Sequence, residues 1–140
     1  MDLKRLDQIL CSAQCLYGNM KARHWNVSGS HFIELHKTFD KIANTVLEMG
    51  DKCAERLVQY NEIPSHTFAQ FLEGSIIDQD PVIKDWELMV SETEKELDAM
   101  YRFIDECLQM KVFDEITNSM LTDYTGKTEF YRMEMNRMIY

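Results

Sequence analysis

Four long stretches of this chain repeat apolar residues at alternating spacings of three and four, and only two prolines and five glycines interrupt 140 residues. That period puts each apolar set on one face of an α-helix, so the expected fold class is all-α. In the first stretch Leu3, Leu6, Leu10, Ala13, Tyr17, Met20 and His24 share a face until Ser28-Gly29-Ser30 breaks it. So short a link implies an antiparallel neighbour. The second stretch, about Ser30 to Tyr60, carries Phe32, Leu35, Phe39, Ile42, Val46, Met49, Cys53 and Leu57 on one face. Asn61 to Pro81 is a long, mixed connection, with a short helix expected over Thr67–Glu73, capped by Ser65 or Thr67 and stopped at Gly74. Pro81 suits the first turn of the next long helix, whose expected core residues are Trp86, Met89, Leu97, Met100, Ile104 and Cys107. Asp114 can cap the last, with Ile116, Met120, Tyr124, Tyr131, Met135 and Met138 facing inward. Two short links and one long crossover are the connectivity of a ferritin-like four-helix bundle rather than a simple up-down one.

Charge and composition narrow the function classes. A chain of this length fits one domain, residues 1–140, and can bury a genuine core. No apolar run approaches the ~20 residues that span a bilayer. Met1-Asp2-Leu3-Lys4-Arg5 runs directly into helical periodicity, which reads as a cytoplasmic protein without a signal peptide. The net charge of −9 and the lack of a Lys/Arg run make DNA an unlikely partner, while the same balance attracts metal cations. Cys11, Cys15, Cys53 and Cys107 form no C-x-x-C pair and read as reduced, small core residues, the alternative being a metal shared by Cys11 and Cys15 one helical turn apart.

The second stretch holds the chemistry. With His36 at zero and 100° per residue, Asp40 falls at about 40°, Asp51 at about 60° and Glu55 at about 100°, whereas the core face centres at about −90°. Ile33, Leu47 and Val58 lie among the four, with Ala43 and Ala54 close by, so they sit in a second apolar seam. Lys37, Lys41, Glu48, Lys52 and Arg56 mark the ordinary polar face elsewhere on the helix. Three carboxylates placed in an apolar seam need a cation, and oxygen and imidazole donors without thiolate suit iron, manganese or zinc. The alternative is a solvated polar stripe. His24, inside the core stripe of the first helix, reads by itself as a core histidine.

His36 and Asp40 are four residues apart, as are Asp51 and Glu55, and the two pairs are separated by fifteen residues. At ~1.5 Å per residue that is ~22 Å, too far for one metal site on one straight helix. A two-fold crossing between the pairs would set the first pair of one chain against the second pair of its mate, twice over.

The run His24-Trp25-Asn26-Val27-Ser28-Gly29, followed by Phe32, Leu35-His36, Phe39-Asp40, Asp51 and Ala54-Glu55-Arg56, resembles the signature of the Dps family of mini-ferritins. The likeness is close over the first two helices; the remainder matches mainly in length and layout. The resemblance implies that His24, His36 and Asp40 of one chain meet Asp51 and Glu55 of a two-fold mate, with Trp25 beside the site. It further implies a hollow dodecamer that oxidises ferrous iron with hydrogen peroxide or dioxygen and stores the ferric product. Other carboxylate di-iron bundles use E-x-x-H pairs within one subunit, and no E-x-x-H occurs in this sequence.

Three departures from the family pattern stand out. No Lys/Arg-rich tail of the DNA-compacting kind is visible. Lys37 and Lys41 occupy positions where acids beside the ligands are thought to nucleate mineral, leaving Glu48 as one candidate for that role. For the iron-entry pore the sequence offers Asp114, Glu115 and Asp123, but Ser119 stands where Asp is frequent. Read alone, Asp114 and Glu115 are ordinary charges at a helix start. The competing functions are a shell whose interface sites hold zinc or manganese structurally, and a nucleoid-binding protein.

Overall fold

The computed structural model describes residues 1–79 and 85–140. Among them are five α-helices: α1 (Leu3–Asn26), α2 (Phe32–Gln59), α3 (Phe68–Gly74), α4 (Trp86–Gln109) and α5 (Glu115–Ile139). The place expected for Pro81 lies outside the described residues. Helix α1 packs along α2 and α4 along α5, while α2–α5 and α1–α4 contacts close the bundle. The crossover lays α3 against α1.

Local chemistry sets most of the helix starts. The side chains of Asp2, Thr67, Asp85 and Asp114 each accept a backbone N–H of the following turn, satisfying donors that a helix leaves open. Thr67 and Gln70 complete a reciprocal capping box, which is how a helix as short as α3 holds its place. Between α1 and α2 the chain reverses through Gly29, whose φ of 95° is costly for any residue with a Cβ.

The inward faces of α1, α2 and α4 follow the apolar period. Leu35, Phe39, Ile42, Val46, Met49, Cys53 and Leu57 are all buried, and so are Leu6, Leu10, Ala13, Met20, Met89, Leu97, Met100, Ile104 and Cys107. Side chains of this size contribute about 1.5–3 kcal/mol each on full burial. All four cysteines are buried free thiols. Burial pushes the Cys11 thiol up to about 11 and that of Cys53 up to about 12, so both stay protonated at neutral pH.

Two expected core positions do not hold: Phe32 is 41% exposed and Ile116 is 67% exposed, whereas Trp86 is partly buried and packs against the core. On α5 the inward face instead runs through Thr117, Leu121, Tyr124, Thr128 and Met135, with Met120, Tyr131 and Met138 partly covered. The two threonines hide the period because they read as polar, although each hydroxyl finds a protein partner inside the bundle. Arg56 Nε donates to Thr117 Oγ1 at 3.1 Å, and Thr128 Oγ1 donates to the Thr125 carbonyl at 3.1 Å. The bundle also encloses a polar cluster that apolar periodicity cannot reveal. Arg23 is fully buried and grips Glu96 with two 2.7 Å bonds, and it donates to Thr93 Oγ1 at 3.0 Å. Asn19 Nδ2 donates to the Asp78 carbonyl at 2.8 Å and to Glu96 at 3.2 Å.

Candidate metal centre

The end of α1 and the start of α2 bring His24 and His36 face to face. Their rings stack with centroids 3.9 Å apart and planes 16° from parallel. His36 Nδ1 lies 2.8 Å from the His24 carbonyl, and His24 Nδ1 lies 2.5 Å from the His36 carbonyl. The helix end explains half of this pairing, because the carbonyls of a last turn lack partners within the helix and the His24 oxygen is one of them. A carbonyl only accepts, so each Nδ1 carries the proton. That tautomer leaves Nε2 as the open position of each ring, the arrangement that prepares a histidine for a metal. His24 is therefore not a core histidine: it is only partly buried, and it pairs with the imidazole that α2 presents.

Asp40, one turn beyond His36, places Oδ1 4.0 Å from His24 Nε2. The same oxygen accepts from Lys21 Nζ at 2.7 Å, a partner that the spacing of the candidate ligands does not disclose. Lys21 lies one turn before Trp25 on α1, and Nζ stands 6.0 Å from the Trp25 ring centre. The Lys21 hydrogen bond is the largest influence on Asp40, holding its carboxyl below the usual carboxylate range. Trp25 is 68% exposed at the rim.

Asp51 and Glu55 are exposed further along α2 and do not join this group. Among the described residues, no three His, Cys, Asp or Glu side chains of the one chain converge on a metal position. Around Asp51 lies a shallow depression between α2 and the crossover, whose walls include Leu10, Leu47, Ala54 and Phe71. Apolar side chains are exposed at both ends of α2, Ile33 at 69% near its start and Val58 at 57% near its end beyond Glu55, and Ile63, Phe68 and Leu72 are exposed on the crossover. This is the second seam read from the helical wheel, except that Ala43 belongs to the core. Glu48 is exposed on the same helix, and burial together with this nearby carboxylate pushes the Tyr124 hydroxyl up to about 12.

The residues considered for a pore divide into two groups. Asp114 caps α5 through Thr117 N at 2.9 Å and also binds Arg56 Nη2 at 2.7 Å and the Tyr60 hydroxyl. These bonds, led by that of Tyr60, hold its carboxyl far below the ordinary range and commit it to tying α5 to α2. Glu115 and Asp123 are exposed and line one shallow depression with Asn118, Ser119 and Thr122.

The Ferritin-like domain family matches residues 3–129. An uncharacterised protein of Haemophilus influenzae is 28% identical over 130 residues, covering 89% of this chain and 79% of that protein. A DNA protection during starvation protein of Porphyromonas gingivalis is 28% identical over 71 residues, 51% of this chain and 45% of its own length. In three dimensions the chain is similar to the DPS protein from Vibrio cholerae O1, described as a member of a broad superfamily of ferritin-like diiron-carboxylate proteins. The TM-score is 0.91 at 24% identity, covering 99% of this chain and 88% of the other. The five helices, the crossover and the family match agree: the chain belongs to the ferritin-like family, and its build is that of a Dps-type mini-ferritin.

Proposed function

We propose that this chain is the subunit of a hollow homo-oligomer, a dodecamer built from two-fold dimers, that binds ferrous iron, oxidises it with hydrogen peroxide and retains the ferric product. The observation that carries the reading is the reciprocal bonding of His24 and His36 through Nδ1, which leaves Nε2 of each ring open, that of His24 4.0 Å from the Asp40 carboxylate. Membership of the ferritin-like family supports iron handling in general, as does likeness to a protein described as diiron-carboxylate. In the complete site Asp51 and Glu55 of the partner subunit supply the remaining carboxylates, and the exposed apolar seam beside them is the surface the mate covers.

The donor set fits the substrate. Imidazole nitrogen and carboxylate oxygen bind ferrous iron, and the anionic oxygens favour the ferric product. Cysteines, which would favour softer ions, are confined to the core. Two ferrous ions held together give up one electron each to a single peroxide, whose O–O bond breaks and whose oxygens leave as water after taking up protons. An isolated ferrous ion supplies only one electron and releases hydroxyl radical. What the protein contributes is proximity and charge: it holds two cations at one anionic position and leaves room for the oxidant. Trp25 stands at the edge of that position, and Lys21 occupies Asp40 until a metal cation replaces it.

Anaerobic ferrous titration followed by measured additions of peroxide tests this directly. The expected result is saturable iron binding, with about one peroxide consumed for every two ferric ions formed, as the two-electron balance requires. Metal binding without oxidation would instead indicate a structural zinc or manganese site.

A further inference from the structure

We propose that Phe32 is a positioning residue of this centre, acting through the ring of His36; the inference rests on the reading of His24 and His36 as metal ligands. The Phe32 ring lies 5.0 Å from that of His36 with the planes 25° apart, and His36 lies 3.9 Å from His24. Three rings therefore form one continuous stack, with His36 as the middle layer. Its single Nδ1 bond to the His24 carbonyl fixes the proton but leaves the ring free to rock about that bond. The torsion that turns an imidazole is broad, so one hydrogen bond does not define the plane. Contact on both faces does, and it aims Nε2.

Burial does not account for Phe32. The apolar period assigns it to the core face, yet it stays 41% exposed and is not among the residues packed against the core. Its location does account for it. Phe32 is the first residue of α2, one turn before His36, and its backbone N–H donates to the Gly29 carbonyl at 3.2 Å. The turn that reverses the chain thus also seats the ring, so a single local structure orders both the link and the ligand. Offset stacking needs a flat face, which Tyr keeps and Leu lacks at comparable bulk.

The test compares Phe32→Leu and Phe32→Tyr in the assembled protein, using Co(II) as the probe. Phe32→Leu should weaken Co(II) binding by roughly tenfold, the lower end of the effect expected for a group that orients a ligand. It should also broaden or shift the side-chain nitrogen resonances of His36 while the thermal midpoint moves by only a few degrees. Phe32→Tyr should restore both affinity and spectrum. Unchanged affinity and unchanged His36 signals in Phe32→Leu would overturn the assignment of Phe32 alone. If His36→Ala also binds Co(II) like the parent, the metal centre falls as well, and the assignment of Phe32 with it.

Discussion

Lys21 shows how one side chain tunes this site. Its ammonium bonds the Asp40 oxygen that the proposed centre would offer to a cation, and Lys21 is itself held more basic by that bond. Replacing it with glutamine removes both the competitor and a positive charge that repels metal. Lys21→Gln should therefore raise Co(II) affinity severalfold at neutral pH, read by direct titration of the assembled protein. Equal or weaker binding would mean that Lys21 serves to hold Asp40 in place instead. The residues around it differ in how far the sequence discloses them. His36 and Asp40 stand out on a helical wheel as an imidazole and a carboxylate in an apolar seam, a pattern that a cation or a solvated polar stripe would each explain until the resemblance favours the cation. His24 by itself looks like core, and only the resemblance marks it, since nothing in a period of 3.6 shows a ring reaching across to another helix's carbonyl. Lys21 gives no such signal: four residues before Trp25, it reads as an ordinary surface charge.

Among the helices, α5 is tied to the bundle by its N-cap, Asp114. The Asp114 carboxylate satisfies the α5 start and receives Arg56 and Tyr60 from the end of α2, so a single group joins two elements. Asp114→Ala should lower stability by ~1 kcal/mol through loss of the cap. Because the folded carboxyl titrates below its unfolded value, its contribution is complete above about pH 5 and fades as pH falls through the folded pKa. Parent and variant should accordingly converge in acid, as urea unfolding between about pH 7 and pH 3 would show; a constant difference would assign the effect to packing. The α5 period was the least legible in the sequence for a related reason. Buried Thr117 and Thr128 read as polar, and exposed Ile116 reads as core, so the true face carries a weak apolar signal. The faces of α1, α2 and α4, built from Leu, Met, Ile and Phe, are legible because the bundle buries what water rejects. If Glu115 and Asp123 line a pore in the assembly, Glu115→Gln with Asp123→Asn should slow iron uptake while sparing oxidation of iron already bound. Equal uptake rates would leave them ordinary helix charges.

The whole molecule is strongly anionic, with a net charge of −9, and among the described residues no helix is long and apolar enough to cross a membrane. Like-charge repulsion should outweigh contacts from Lys4 and Arg5, so duplex DNA should not shift at ~150 mM salt without bridging divalent cations. A clear shift would reveal a basic surface formed only in the assembly. The central claim is that neither end of α2 makes a site by itself. The two proposed ligand pairs are ~22 Å apart along one helix, so a site that uses both would need a second chain. Two variants put this to the test, one lacking the side chains of His36 and Asp40, the other lacking those of Asp51 and Glu55. Each should be inactive alone. Refolded together, about half the dimers should be mixed, each with one doubly broken and one intact site, so roughly a quarter of all sites should oxidise iron again. Recovery to that level, with mixing verified by mass, is the result the shared site predicts; no recovery from verified mixed dimers would contradict it, because a site built within one chain cannot be restored by a partner.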